Sequence, residues 1–284
     1  MQQIAQEQLL DFIEKALYED IRDGDHTSLA CVPDEAYGSA RLLVKDDGVL
    51  AGVALAAEIF RFVDPAMQMK IYIQDGEQIK YGDIAFEVHA PSQVILKAER
   101  LALNCMQRMS GIATMTRKFV DLVSDLPVTI LDTRKTTPLL RFLEKWSVRI
   151  GGGTNYRDGL YDRIMIKDNH VDFCGSIKSA IQQVQAYLKA KELDLEITVE
   201  VRNMKELEEV LQTGGINRIM LDNFDTDTMR KAVARIDKAY EIEASGGITL
   251  ETVRSYAETG VDFISVGALT HSYNSLDLSL KKYK

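Results

Sequence analysis

Cysteine is scarce in this chain and poorly placed for bonding. Cys31, Cys105 and Cys174 are odd in number, far apart, and form no C-x-x-C pair. That excludes a disulfide framework and fits reduced structural thiols in a cytoplasmic protein. No 18 apolar residues run together, so no membrane span is expected. The opening stretch MQQIAQEQLLDFIEKALYED lacks a cationic start. Its Ile4, Leu9, Ile13 and Leu17 recur near helical spacing between acids, which predicts an amphipathic helix rather than a signal peptide. Positive charge is short as well: 34 Lys and Arg face 43 Asp and Glu, a formal net charge of −9. A general nucleic-acid or anionic-membrane surface is therefore not expected. No Ser or Cys stands in an obviously activated arrangement. What remains is ordinary: 284 residues, 46% hydrophobic and 27% charged, enough for one large domain or two smaller ones.

Two kinds of pattern divide the chain. Near the start, DGDHTS (23–28) reads as a turn-rich loop. GSARLLVKDDGVLAG (38–52) reads as two strand-like runs around an Asp-Gly turn, and 55–62 as a helix. KIYIQDGEQIKYGDIAFEVHAP (70–91) supplies three short strands. Its turns are similar to those of lipoyl-type carrier domains, but no Lys sits at a hairpin tip, so the pattern is architecture. Residues 96–124 read as one long helix or a bent pair. From 128 onward, six β-prone runs follow: VTILD, RIMIKD, EITVEV, RIMLD, YEIEAS and FISVG. Amphipathic segments separate the last four (204–214, 226–236 and 250–260). The last strand ends fall at 200, 222, 245 and 267, intervals of 22, 23 and 22 residues. A repeated β-α unit of that length implies a parallel sheet. Six units suggest an incomplete (β/α) barrel; a doubly wound sheet is the alternative, without a G-x-G-x-x-G turn to favour it.

In a barrel the chemistry lies at the carboxyl ends of the strands. Between 134 and 167 there are eight cations and three acids, a local balance of +5 that would focus anions into a cleft. Arg141, Lys145 and Arg149 recur every fourth residue and read as one solvated helix stripe. Arg134, Lys135, Arg157 and Lys167 sit at strand ends or beside GGG (151–153), itself readable as a linker. These four read as ligand contacts, because guanidinium matches carboxylates and phosphates with paired N–H bonds. Glu200 and Asp222 also end strands. They fit either a structural salt bridge with Lys167 or Arg202, or sugar-hydroxyl and water-mediated Mg²⁺ contacts. Ser245-Gly246-Gly247 and the Gly turn at Gly267 suit a phosphate held by backbone N–H groups. His26, His89 and His170 read as structural, whereas His271 follows the last Gly turn and reads as a phosphate contact.

Six stretches together resemble the quinolinate phosphoribosyltransferases: EDIRDGDHTS, AERLALNCMQRMSGIAT, LDTRKTTPLLRFLEKWSVRIGGGTNYRDGLYDRIMIKDNH, IMLDNF, EASGGIT and ISVGALTHS. The resemblance covers nearly the whole chain. It implies an α/β protein with an N-terminal α/β sandwich over 1–112, with 270–284 packing back on it. An incomplete (β/α) barrel would then span 113–269. It implies a cytoplasmic homodimer, in some cases a hexamer, with each active site completed by the neighbour. The implied reaction joins quinolinate to phosphoribosyl pyrophosphate and releases pyrophosphate and CO₂, giving nicotinate mononucleotide for NAD biosynthesis.

By the same resemblance, Lys135, Lys167, Glu200 and Asp222 would be catalytic, the two acids holding Mg²⁺ through water. Thr133, Arg134, Tyr156 and Arg157 would bind substrate, with Arg100 donated across the dimer. Ser245, Gly246, Gly247, Gly267, Ala268 and His271 would cradle phosphate. Two departures stand out: Tyr156 occupies a position that is His in many members, and Thr198 one that is often an acid. Tyr keeps a hydrogen-bonding tip but cannot become a cation near neutral pH. A barrel lyase using Lys167 as a Schiff base and a non-catalytic accessory protein are the competing readings.

Overall fold

The computed structural model describes residues 6–283, which form two compact units. Ile4, the first apolar position of the expected opening helix, lies outside them, as does Lys284. The first unit holds 6–115, 142–151 and the chain from Tyr273. Its helices are α1 (Gln6–Ile21), α2 (His26–Cys31), α3 (Val53–Val63), α4 (Ser92–Asp121, to Met115 in this unit) and α5 (Arg141–Ile150). Its strands are β1 (Tyr37–Val44), β2 (Gly48–Val49), β3 (Gln68–Ile71), β4 (Gln78–Ile79), β5 (Ile84–Pro91) and β12 (Leu278–Lys282). β12, β1, β5 and β3 lie in that order in an antiparallel sheet, and β2 pairs with β4. Strand pleating explains the sheet's two faces: along β1, Gly38, Ala40, Leu42 and Val44 are buried and alternate with more exposed neighbours. α3 buries Leu55, Ile59 and Phe60, and Phe60 meets Phe86 of β5 edge-on at 6.4 Å. Asp75 caps α3 by accepting the Val53 N–H at 2.8 Å.

Three features depart from the sequence reading. The loop DGDHTS already contains the start of α2, because Asp25 accepts the Ser28 N–H at 3.1 Å and caps the helix. The first unit is not one run ending near 112: 142–151, expected within 113–269, belong to it. The reason is packing, since Phe142 meets Phe12 edge-on at 5.4 Å and the fully buried Glu144 accepts Arg108 Nε at 3.0 Å. The same packing breaks the expected solvated stripe on α5. Lys145 is only 2% exposed, and Arg141 donates to the Asp158 carbonyl at 2.8 Å.

The second unit comprises 116–141 and 152–272. Its six strands are β6 (Thr129–Leu131), β7 (Ile164–Ile166), β8 (Ile197–Val201), β9 (Arg218–Asp222), β10 (Glu241–Ser245) and β11 (Phe263–Ser265). They alternate with α6 (Asp168–Cys174), α7 (Ile177–Lys191), α8 (Met204–Thr213), α9 (Thr226–Ile236), α10 (Val253–Ala257) and α11 (Ala268–His271). The sheet is parallel throughout, in the order β6-β11-β10-β9-β8-β7. β7 to β11 thus lie side by side in chain order, with no reversal of the kind that marks a doubly wound sheet. Among the described residues β6 and β7 do not pair, so the barrel is incomplete. Thr154 bridges to Leu131 on the free side of β6. Helix starts carry their own signals: Asn203 caps α8 and Asp225 caps α9, each accepting two backbone N–H groups. The helix expected over 250–260 shortens to α10, because a Thr249–Thr252 hydroxyl turn occupies its start and Gly260 turns at φ +91°.

Candidate active site

The carboxyl ends of the six strands and the loops after them enclose a cleft of about 840 Å³. Every expected site residue of this unit lines it. Thr133, Arg134 and Lys135 follow β6, Tyr156 and Arg157 follow the Thr154 bridge, and Lys167 ends β7. Glu200 and Asp222 sit on β8 and β9. Ser245, Gly246 and Gly247 come from the β10 end, and Gly267, Ala268 and His271 from the β11 end. Arg100 is different: it lies on α4 in the first unit, exposed, and is not among the residues lining this cleft.

The stretch LDTRK owes its position to Asp132. This fully buried carboxylate accepts the Tyr156 N–H at 2.9 Å and the Asn155 side-chain amide at 2.6 Å. It thereby ties the loop after β6 to the segment carrying Arg157. Arg157 is 8% exposed, and burial, followed by the nearby charge of Arg134, pulls its pKa below the ordinary arginine value. The buried Nε of Arg134 has no hydrogen-bond partner among the described residues. Two guanidinium groups thus lie near each other, one with an unmet donor, which favours an anionic ligand. Lys167 is ion-paired with Glu200, one of the two readings the sequence left open for that acid. Arg202, the other candidate partner, pairs with Asp172 and Glu206 instead.

The opposite wall is built from glycine. Gly246 has φ +100°, and a Cβ there would come within 2.8 Å of the Asn223 backbone nitrogen, so only glycine fits. A Cβ on Gly267 would lie 3.0 Å from His271 Nε2 and 3.1 Å from Lys135 Cδ. Glycine therefore lets Asn223, His271 and Lys135 approach the backbone closely at two successive strand ends. The other histidines are not among the lining residues: His89 bonds Ser39 at 2.8 Å, and His170 Nδ1 accepts the Lys167 N–H at 2.9 Å.

Tyr156 lines the cleft, and its hydroxyl bonds the Thr198 hydroxyl at 2.6 Å. Burial and the charge of Glu243 push its phenol pKa up. Thr198 is buried and reaches the cleft only through Tyr156. Sequence reasoning missed the layer beneath the mouth: Met165, Met220, Glu243 and Ser265. Each lies two residues before a strand-end residue already singled out, namely Lys167, Asp222, Ser245 and Gly267. The period-two pleat puts both on the same barrel face, so that signal was in the sequence. Glu243 is fully buried, and burial raises its pKa against the opposing pull of Ser265 and Arg218.

For a metal the donor set is thin. Glu200 and Asp222 line the cleft from neighbouring strands. No group of three or more His, Cys, Asp or Glu suited to a metal occurs among the described residues. Two carboxylates suit Mg²⁺, which keeps its waters and takes further oxygens from substrate phosphates.

Comparison with known proteins addresses the whole chain. Residues 112–281 match the family described as quinolinate phosphoribosyl transferase, C-terminal domain, and 25–110 match its N-terminal domain. The chain is 45% identical to the Arabidopsis thaliana nicotinate-nucleotide pyrophosphorylase [carboxylating], chloroplastic, over 95% of its own length and 81% of that protein. It is 42% identical to the probable nicotinate-nucleotide pyrophosphorylase [carboxylating] of Bacillus subtilis, over 96% of this chain and 93% of that one. The crystal structure of NadC from Streptococcus pyogenes superposes with a TM-score of 0.93 at 35% identity, covering 100% of both chains. Two domain matches and relatives aligned along nearly their full length agree with the strand-end cleft: the chain belongs to the quinolinate phosphoribosyltransferase family.

Proposed function

We propose that the cleft holds quinolinate beside 5-phosphoribosyl 1-pyrophosphate and joins them in the reaction of the family. The products are nicotinate mononucleotide, pyrophosphate and CO₂, a step in NAD biosynthesis. The observation that carries this reading is the guanidinium pair, Arg157 almost wholly buried and Arg134 with an unmet buried donor. A dicarboxylate supplies both acceptors and the charge they lack. Lys135 and Lys167 face the same space as compact cations suited to phosphate oxygens. The glycine wall at Gly246, Gly247, Gly267 and Ala268, with Ser245 and His271, suits the sugar 5′-phosphate.

The chemistry then follows from charge. The bond from ribose C1 to pyrophosphate breaks with its electron pair on the leaving oxygen, and C1 gains oxocarbenium character. Lys135 and Lys167 stabilise the negative charge that builds on the leaving group. Arg134 and Arg157 hold the pyridine nitrogen against C1, where the new N–C1 bond forms. The bond from ring carbon 2 to its carboxylate then breaks with the electron pair left on carbon 2, where the adjacent pyridinium charge stabilises it; the carboxylate departs as CO₂, and solvent protonates that carbon. Glu200 and Asp222 would hold Mg²⁺ through water, and that ion would supply further charge neutralisation to the pyrophosphate. Lys167, ion-paired with Glu200, serves here as a cation, which gives the Schiff-base lyase reading no support.

The proposal extends to a homodimer, in which Arg100, exposed and not among the residues lining its own chain's cleft, serves the neighbour's site. It also places the protein in the cytoplasm, in keeping with three unpaired cysteines, of which the buried Cys105 has its pKa pushed up to about 12. The test is an assay with phosphoribosyl pyrophosphate and either quinolinate or nicotinic acid as acceptor, with and without Mg²⁺. Turnover is expected with quinolinate and Mg²⁺, and not with nicotinic acid, which lacks the carboxylate at ring position 2. Equal turnover of the two acceptors would overturn the assignment.

A further inference from the structure

The interior of this barrel is unusually polar beneath the cleft. Bulky aliphatic residues commonly fill such a core. Here a nearly buried arginine, Arg218, projects from β9, and it does not line the cleft. Its guanidinium is held by Glu241 at 2.8 Å and by Glu243 at 3.2 Å, and it lies 3.8 Å from the centroid of the Phe263 ring. Glu243 in turn accepts the Ser265 hydroxyl. A buried ion pair of this kind is weak support for stability, because desolvation offsets much of the attraction. Its place directly under an anion pocket asks for another reason.

That reason is the ring of Tyr156. The Arg218 guanidinium carbon lies 4.9 Å from its centroid, and that of Arg163 lies 5.5 Å away. Thr198 holds its hydroxyl at 2.6 Å and Asp132 its backbone N–H at 2.9 Å. Tyr156 is thus fixed at ring, tip and backbone, in the segment that runs along the unpaired side of β6. The next residue is Arg157. Its guanidinium is almost wholly buried near the like charge of Arg134, so holding it there calls for outside support.

We propose that Arg218, with its counter-ion Glu243, is a positioning residue for substrate: it clamps the Tyr156 ring and so sets Arg157 beside Arg134. Arg218 touches no substrate. Tyr156 serves chiefly through its ring as the link between them. This inference rests on reading the cleft as the quinolinate site.

The test is a double-mutant cycle on the full-length protein, using Arg218→Met and Tyr156→Leu, with KM and kcat for both substrates measured well below the melting temperature. Misplacing Arg157 by about 1 Å is expected to lower kcat/KM for quinolinate by on the order of 100-fold. Most of that loss should appear as a raised KM for quinolinate, with the KM for phosphoribosyl pyrophosphate much less affected. The double variant should be no worse than the weaker single variant, because both break one linkage. Losses that multiply would show that Arg218 acts independently of Tyr156 and would overturn the proposal. A lower melting temperature with an unchanged quinolinate KM would do the same, leaving Arg218 a merely structural residue. If Arg218→Met fails to fold, Tyr156→Phe against Tyr156→Leu decides. The ring-retaining variant is expected to lose far less, and equal losses would contradict a role for the ring. Absence of quinolinate turnover in the wild-type protein would instead refute the proposed function itself.

Discussion

At the scale of single residues, the site is defined by charges that lack partners and charges that have them. Arg134 carries an unmet buried donor, whereas Lys167 is ion-paired with Glu200, and Arg202 is drawn off to Asp172 and Glu206. The group with the open donor should matter most to ligand binding. Arg134→Ala is expected to weaken transition-state binding by about 2–5 kcal/mol, as loss of a buried charge-assisted contact does. Lys189→Ala, on the exposed face of α7, should leave kcat/KM unchanged. Steady-state kinetics with quinolinate compare the two, and similar values for both variants would show that Arg134 is not at the reacting centre. The cations of LDTRK were legible from their position at a strand end. Asp132, their support, was written in the same stretch, but its buried bonds to Asn155 and Tyr156 join residues more than 20 apart in the chain. No local pattern reveals such a pairing.

At the scale of elements, the barrel strands stood where their β-prone runs predicted, because 22- and 23-residue spacing leaves room for little else than one strand, one helix and two turns. The site's mouth followed, since strand ends are fixed once the strands are. The layer of Met165, Met220, Glu243 and Ser265 was readable only by carrying the pleat two residues back from each mouth residue. What periodicity could not supply was the burial of α5, whose Lys145 and Glu144 look like surface residues on a helical wheel. Tertiary packing against Arg108 and Phe12 overrides that local pattern. Helix caps give a pH test. Backbone N–H bonds, that of Thr228 foremost, hold the Asp225 carboxylate at the start of α9 below its ordinary pKa. A depressed carboxylate contributes stability that is present above its unfolded-state value and is lost as pH falls through the folded value. Asp225→Ala is therefore expected to lower the melting temperature at pH 7. The gap from wild type should close only below about pH 4, where an unperturbed Asp begins to protonate. A gap that persisted unchanged at lower pH would refute the charge contribution of the cap.

At the scale of the whole molecule, the two units divide the labour: the second carries the cleft, and the first carries Arg100 on α4. The proposed homodimer makes a quantitative prediction from symmetry. Arg100→Ala and Arg134→Ala should each be nearly inactive alone. Mixed, unfolded and refolded together, half of the dimers are hybrids, and each hybrid has one intact site, so about a quarter of wild-type activity should return. No recovery would mean that Arg100 serves its own chain, and full activity of Arg100→Ala alone would mean that it serves no site. The whole reaction is larger than any one residue: the strand-end cleft couples phosphoribosyl transfer to loss of a carboxylate. Its most direct test measures CO₂ released from the ring-position-2 carboxyl of labelled quinolinate together with the pyrophosphate formed. The account predicts equal amounts of both, each dependent on phosphoribosyl pyrophosphate. Pyrophosphate formed without CO₂, or CO₂ released without phosphoribosyl pyrophosphate, would contradict it.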